Sequence, residues 1–195
     1  MDLTFQEKVN LSYLFISMYE KLMELYKTYY FPIIDGMNRK KENPTPRDIR
    51  IRNYIIQEYG EKQKLKDKER FELLTKTSIL SPEEDKLRVD LSKIRDKIAH
   101  DSVSIYFDEA IKLDFFRLDE MIVLYQVLIA KMCNFVILKA CKTKQQKEEV
   151  LKQLYIINVG KIKIMSQQLL IDSKFDKVKE LFNKEIVISW SDDEI

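Results

Sequence analysis

Glycine and proline are scarce, three and four in 195 residues, so long uninterrupted elements are expected and a many-turned β architecture is not. Gly36, Gly60 and Gly160 stand far apart, which rules out a glycine-rich phosphate loop. The two cysteines, Cys133 and Cys141, are too few for a disulfide scaffold or a zinc cage. Lying in an apolar run, they read as buried free thiols of a reducing compartment. One histidine, His100, excludes two-histidine metal sites, H-E-x-x-H motifs and hydrolases that keep a spare histidine ligand. No metal or other cofactor is expected. Charge of one sign is lacking too: 34 basic against 32 acidic groups leave a net +2, so contact with a nucleic acid has to come from a local patch.

The N-terminus Met-Asp-Leu-Thr-Phe-Gln-Glu-Lys has no basic region followed by an apolar stretch, so it does not read as a signal peptide. A cytoplasmic location is expected. Met121–Leu138 approaches the length that spans a bilayer, but Gln126, Lys131 and Asn134 lie at its centre. It reads as a buried bundle helix, with no membrane partner.

What is abundant is helical. Thr4-x-x-Glu7, Ser81-Pro-Glu-Glu84 and Thr143-x-x-Gln146 fit the capping box, in which two side chains satisfy the orphaned N–H groups of a helix start. Thr45-Pro-Arg-Asp48 and Ser81-Pro82 place proline at the first helical position, where its missing N–H costs nothing. Leu11, Phe15, Met18, Leu22, Leu25 and Tyr29 advance in steps of three and four, one stripe of a helix, and Leu87, Leu91, Ile94 and Ile98 repeat the pattern. The spacing predicts helices over about 5–30, 46–59 and 61–76, a fourth from Ser81 to His100, and a connector to about 112. A central helix apolar on most sides runs from about Phe115 to Ala140, and two or three shorter helices follow. Phe175, Val178, Leu181 and Phe182 form a short amphipathic turn. Glu185-Ile-Val-Ile-Ser-Trp190 reads as a short strand or an irregular tail. The expected fold is an all-α bundle of one domain, 1–185, with a C-terminal tail over 186–195.

His100 is the one side chain whose ordinary pKa suits proton transfer near neutrality. On a wheel of 100° per residue Leu87, Leu91 and Ile98 cluster within about 60° of Ile94, while Asp96 and His100 fall near the opposite side, one turn apart. Arg95 lies on the flank, about 140° from His100. Arginine and histidine therefore converge on one phosphate only if the helix end distorts or two chains contribute. A two-fold dimer would set two such pairs around one cleft.

Arg95-Asp-Lys-Ile-Ala-His100 resembles the Arg-x4–6-His signature of HEPN domains, in which a polar residue, here Asp96, commonly follows the arginine. The motif's place at the end of an amphipathic helix, before a long apolar one, is similar to that family's bundle plan. The resemblance implies a HEPN-like helical bundle and a homodimer with a composite site that cuts RNA without metal. By position His100 would be the acid/base group, Arg95 the phosphate-binding cation and Asp96 the polar helper that orients His100 or the RNA. A toxin or antiviral-defence role is implied, with RNA, a second copy and an antitoxin or regulatory protein as partners. Asp101 stands where a small residue is common, and Ser102 where one toxin subfamily has tyrosine, so a nucleotidyltransferase antitoxin is not implied. The alternative is a HEPN-like bundle that binds RNA or protein without catalysis.

Two further features stand beside the motif. Arg39, Lys40, Lys41, Arg47, Arg50 and Arg52 gather six cations against Glu42 and Asp48, either a solvated loop or an RNA-backbone contact. Tyr13, Tyr19, Tyr26, Tyr29 and Tyr30 follow helical spacing and read as core and bundle edge rather than as platforms for base stacking.

Overall fold

In the computed structural model the described residues are 3–39, 42–62, 64–132, 143–146 and 148–149. Among them every regular element is helical and there is no strand. The elements are α1 (Phe5–Leu25), a π-turn (Tyr26–Tyr30), α2 (Phe31–Asn38), α3 (Pro46–Tyr59), α4 (Asp67–Lys76), α5 (Pro82–His100), α6 (Ser102–Phe107), a 3₁₀ turn (Leu113–Phe116) and α7 (Leu118–Met132). No described helix is long and apolar enough to cross a membrane. Cys133, Cys141, the rest of the central apolar run, the Phe175–Phe182 turn, the Glu185–Trp190 segment and the tail lie outside the described residues.

The caps stand where the sequence puts them. Glu7 N–H donates to Thr4 Oγ1 (3.3 Å) while Thr4 N–H donates to Glu7 Oε2 (2.8 Å), and Ser81 and Glu84 repeat the exchange at 3.2 and 2.7 Å. Thr45 and Asp48 close a third box at α3, with Pro46 opening the helix. Gln146 N–H donates to Thr143 Oγ1 at 3.2 Å.

The first helix departs from expectation at its far end. Pro32 has no N–H to give to the carbonyl four residues back and its ring crowds that carbonyl. The helix widens into the π-turn, where Phe31 N–H reaches back to Tyr26 O, and then continues as α2 to Asn38. The extra residue rotates the register: Tyr26 and Tyr30 are fully buried and Tyr29, expected on the stripe, is exposed. Tyr19 is buried and Tyr13 exposed, so the tyrosines divide between core and edge.

The chain folds as two compact units. One comprises residues 20–92. Phe71 is its hub: Tyr26 meets it edge-on at 4.9 Å and Phe31 at 5.0 Å, while the Arg88 guanidinium lies 3.8 Å over its ring. Arg70 sits only 9% exposed at its side chain, forked onto Asp35 (3.0 and 2.9 Å) and bonded to Asp67 (3.0 Å). Those carboxylates hold the guanidinium further into its charged form, Asp35 most strongly. Between α3 and α4 the chain turns at Gly60, whose φ of +76° is strained for any residue with a Cβ although the space there is open. Helix α4 starts at Asp67, six residues later than expected, because Lys66 N–H is capped by Glu69 (2.7 Å), a carboxylate that also binds Lys62 (2.6 Å). Tyr59 Oη donates to Glu72 at 2.7 Å, joining α3 to α4. Its hydroxyl is held far above the usual tyrosine range by burial and by that carboxylate.

The other unit joins the described residues up to Tyr19 with the described residues from Lys93 on. Its buried positions include Leu11, Leu14, Phe15 and Met18 of α1, Ile98 of α5, Ile105 of α6, and Met121, Leu124 and Leu128 of α7. Burying each such side chain contributes about 1.5–3 kcal/mol. The expected connector after His100 holds a helix of its own, α6, with Ile105 as its buried residue. Its signal, Asp101-x-x-Ser104, is local: the Ser104 hydroxyl donates to the Asp101 carboxylate. At the far end of α6 the buried Lys8 ammonium of α1 donates to the carbonyl of Asp108, and Phe5 packs on Tyr106 and Phe107 at 5.7 Å. Arg117, in the left-handed region at φ 45°, separates the 3₁₀ turn from α7, so the central helix begins at Leu118.

Candidate active site

Arg95, Asp96 and His100 occupy the last two turns of α5, within the unit that contains α6 and α7. The apolar positions behave as the wheel requires: Leu91 and Ile98 are buried and Leu87 and Ile94 half-buried. Asp96 and His100 are exposed, and Arg95 is half-buried. The sole imidazole therefore stands in solvent at the C-terminal end of a 19-residue helix, where the helix dipole favours a cation. Lys97, in the same last turn, lies 5.2 Å from the Phe115 ring.

The helix does not distort as it ends. It is α-helical through His100, and Asp101 N–H still donates to Lys97 O at 2.8 Å. Regular winding leaves Arg95 and His100 about 140° apart and about 7.5 Å apart along the axis. Within one chain they face different directions.

Asp96 engages the arginine and not the histidine. Arg95 Nη1 donates to Asp96 Oδ1 at 2.9 Å, with the two side chains 41% and 55% exposed. The His100 side chain makes no hydrogen bond or ion pair among the described residues. A pair this exposed contributes less than about 1 kcal/mol and yields readily to a better anion. The Asp101 carboxylate accepts from Ser104.

Helix α6, which follows the motif, exposes apolar surface that sequence reasoning missed. Val103 and Phe107, four residues apart on α6, are 69% and 73% exposed, and Phe5, which packs on Phe107, is 51% exposed. The Val103-x-x-x-Phe107 spacing, following the motif directly, was the available signal.

Among the described residues no group of three or more His, Cys, Asp or Glu side chains could hold a metal ion. Compared with known proteins, the chain matches no family model, no curated protein and no solved structure. What the described residues define is a set of helices, one of which ends with an exposed imidazole and a guanidinium five positions earlier.

Proposed function

We propose that the chain is a metal-independent endoribonuclease of HEPN type that works as a homodimer. The observation that carries the reading is the undistorted end of α5. Of the two ways in which Arg95 and His100 could share a phosphate, a distorted helix and a second chain, the regular helix disfavours the first. The second copy supplies the missing half.

Two chains set with their α5 ends together bring two guanidiniums and two imidazoles around one cleft. RNA provides its own nucleophile: the 2′-oxygen attacks the adjacent phosphorus as an imidazole takes its proton. The bond from phosphorus to the 5′-oxygen breaks, and a proton passes from imidazolium to that leaving oxygen. The products are a 2′,3′-cyclic phosphate and a 5′-hydroxyl end. The planar fork of Arg95 grips the phosphate oxygens as charge builds on them, exchanging its weak bond to Asp96 for the phosphorane. Asp96, one turn before His100 on the same exposed side, is placed to orient the imidazole or the RNA once Arg95 has moved. The exposed Phe5, Val103 and Phe107 supply apolar surface for the two-fold contact next to this cleft.

A non-catalytic bundle that binds RNA or a protein draws support from one feature, the Arg95–Asp96 bond, which half-neutralises the guanidinium in the isolated chain. Incubation of the wild type, Arg95→Ala and His100→Ala with mixed RNA in excess chelator separates the readings. Cleavage by the wild type alone, leaving cyclic phosphate ends, is expected; equal products from all three would end the nuclease reading. A toxin or antiviral-defence role, with an antitoxin or other regulator, accompanies the family resemblance.

A further inference from the structure

Between Arg39 and Arg52 the chain carries six cations against two anions, a net +4 in a protein of net +2, so the remainder is net −2. Such segregation creates a local positive field that the overall charge conceals. The structure decides whether neighbouring carboxylates cancel it. Asp48 caps α3, accepting from Thr45 N–H (3.0 Å) and Thr45 Oγ1 (2.8 Å), and its charge and that of Glu42 are already counted in the net +4. Arg39 and Arg50 are exposed and Arg52 is half-buried. None of these three makes an ion pair or hydrogen bond among the described residues.

Arginines elsewhere behave differently. Arg70, Arg88, Arg95 and Arg117 each hold a carboxylate, at 2.9, 2.7, 2.9 and 2.5 Å. A chain with nearly as many acids as bases has partners to offer, yet among the described residues these three guanidiniums hold none. Along α3 the exposed side chains Arg50, Asn53 and Gln57 fall at i, i+3 and i+7, one stripe of hydrogen-bonding groups with no carboxylate among them. Glu58 comes eight residues after Arg50, about 12 Å further along the axis.

We propose that the exposed stripe of α3 that begins at Arg50 and runs through Asn53 and Gln57 is a docking surface for the phosphate backbone of RNA. A helix lying on a membrane would present Trp, Phe or Leu beside its cations, whereas Ile49 is the one large apolar side chain exposed on α3 among the described residues. Arginine rather than lysine, with amide side chains on the same stripe, suits the paired oxygens of phosphate. Recognition of phosphate stands on these residues alone, while the choice of RNA over DNA rests on the ribonuclease reading.

The test uses the full chain carrying His100→Ala, so that nothing is cut. Binding of a fluorescein-labelled single-stranded RNA is followed by anisotropy over a series of salt concentrations. Arg50→Glu is expected to weaken binding at least about fivefold and to lower the slope of log affinity against log salt by about one. Arg50→Gln, milder toward folding, is expected to give the same direction at about half the effect on the slope or more. The charge-matched control Lys86→Glu changes an exposed lysine elsewhere and is expected to leave affinity within about twofold. Equal weakening by the control, no RNA binding at all, or tighter capture of polyglutamate than of RNA overturns the proposal. DNA bound as tightly as RNA, with the same loss in the α3 variants, leaves phosphate docking standing and removes the RNA preference. Wild-type RNA cleavage with binding indifferent to the α3 changes defeats this proposal and spares the nuclease. RNA held at α3 but never cut does the reverse.

Discussion

Two arginines in this chain show opposite uses of the same side chain. Arg70 is buried, forked onto Asp35, bonded to Asp67 and set 5.2 Å from the Phe31 ring. Each of its three guanidinium nitrogens donates to a carboxylate. Arg95 is half-exposed and holds one bond, to its immediate neighbour Asp96. A guanidinium surrounded by fixed partners stabilises a structure, whereas one tied by a single exposed bond remains free to exchange that partner for a phosphate. The difference lies in burial and partner count, which no local sequence pattern records.

The comparison breaks most sharply under substitution of the two residues. Arg95→Ala is expected to lower RNA cleavage by about 10²–10³ while changing stability by less than about 0.5 kcal/mol. Arg70→Ala should do the opposite, costing about 3 kcal/mol in urea unfolding because Asp35 loses its fork, with cleavage by the remaining folded protein near normal. Similar effects of both on unfolding would erase the distinction.

The carboxylates sharpen it. Asp35→Asn removes the charge facing a buried guanidinium and is expected to cost about 2 kcal/mol, measured by thermal or urea unfolding. Asp96→Asn, at a pair exposed on both sides, should leave the unfolding midpoint within error. Of intermediate size is the double variant Val103→Asp/Phe107→Asp. It is expected to weaken the dimer about tenfold or more in sedimentation equilibrium and to lower cleavage at concentrations where the dimer falls apart. A dimer indifferent to that change would remove α6 from the interface.

The smallest effect concerns acid. The Lys62 ammonium first, then the Lys66 N–H, hold the Glu69 carboxyl below the usual glutamate range. A carboxyl whose pKa is depressed by folding contributes stability that is fully present above its unfolded value, about 4.3, and is lost as pH falls through the folded value. Glu69→Gln should therefore lower the melting temperature slightly near neutral pH and flatten its decline below about pH 4.5, as followed by circular dichroism.

Much of the helical frame could be read from local signals. Thr4, Thr45 and Ser81 announce three helix starts, and Pro46 and Pro82 confirm two of them, because a cap is settled within four residues. The exposure of Asp96 and His100 followed from winding alone. Tertiary or longer-range constraints decided the rest. The outward turn of Tyr29 depends on how the helix absorbs Pro32 two positions past Tyr30, and helix α6 had only an Asp101–Ser104 side-chain contact and no capping bond to show for itself. The late start of α4 turned on Glu69 reaching back to Lys66, an N-terminus without the usual capping hydroxyl. At the end of α5 the exposure of Asp96 and His100 was legible in the sequence, whereas the bond from Arg95 to its neighbour Asp96 was not.

Two inactive variants, mixed, decide whether the guanidinium and imidazole serve one phosphate from opposite chains. Arg95→Ala and His100→Ala are unfolded and refolded together so that subunits exchange. Half of the dimers should then keep one arginine and one histidine across the interface, and RNA cleavage should rise well above that of either variant alone, toward about a quarter of wild type. A mixture no more active than its components, despite subunit exchange shown by differently labelled chains, would contradict the shared site.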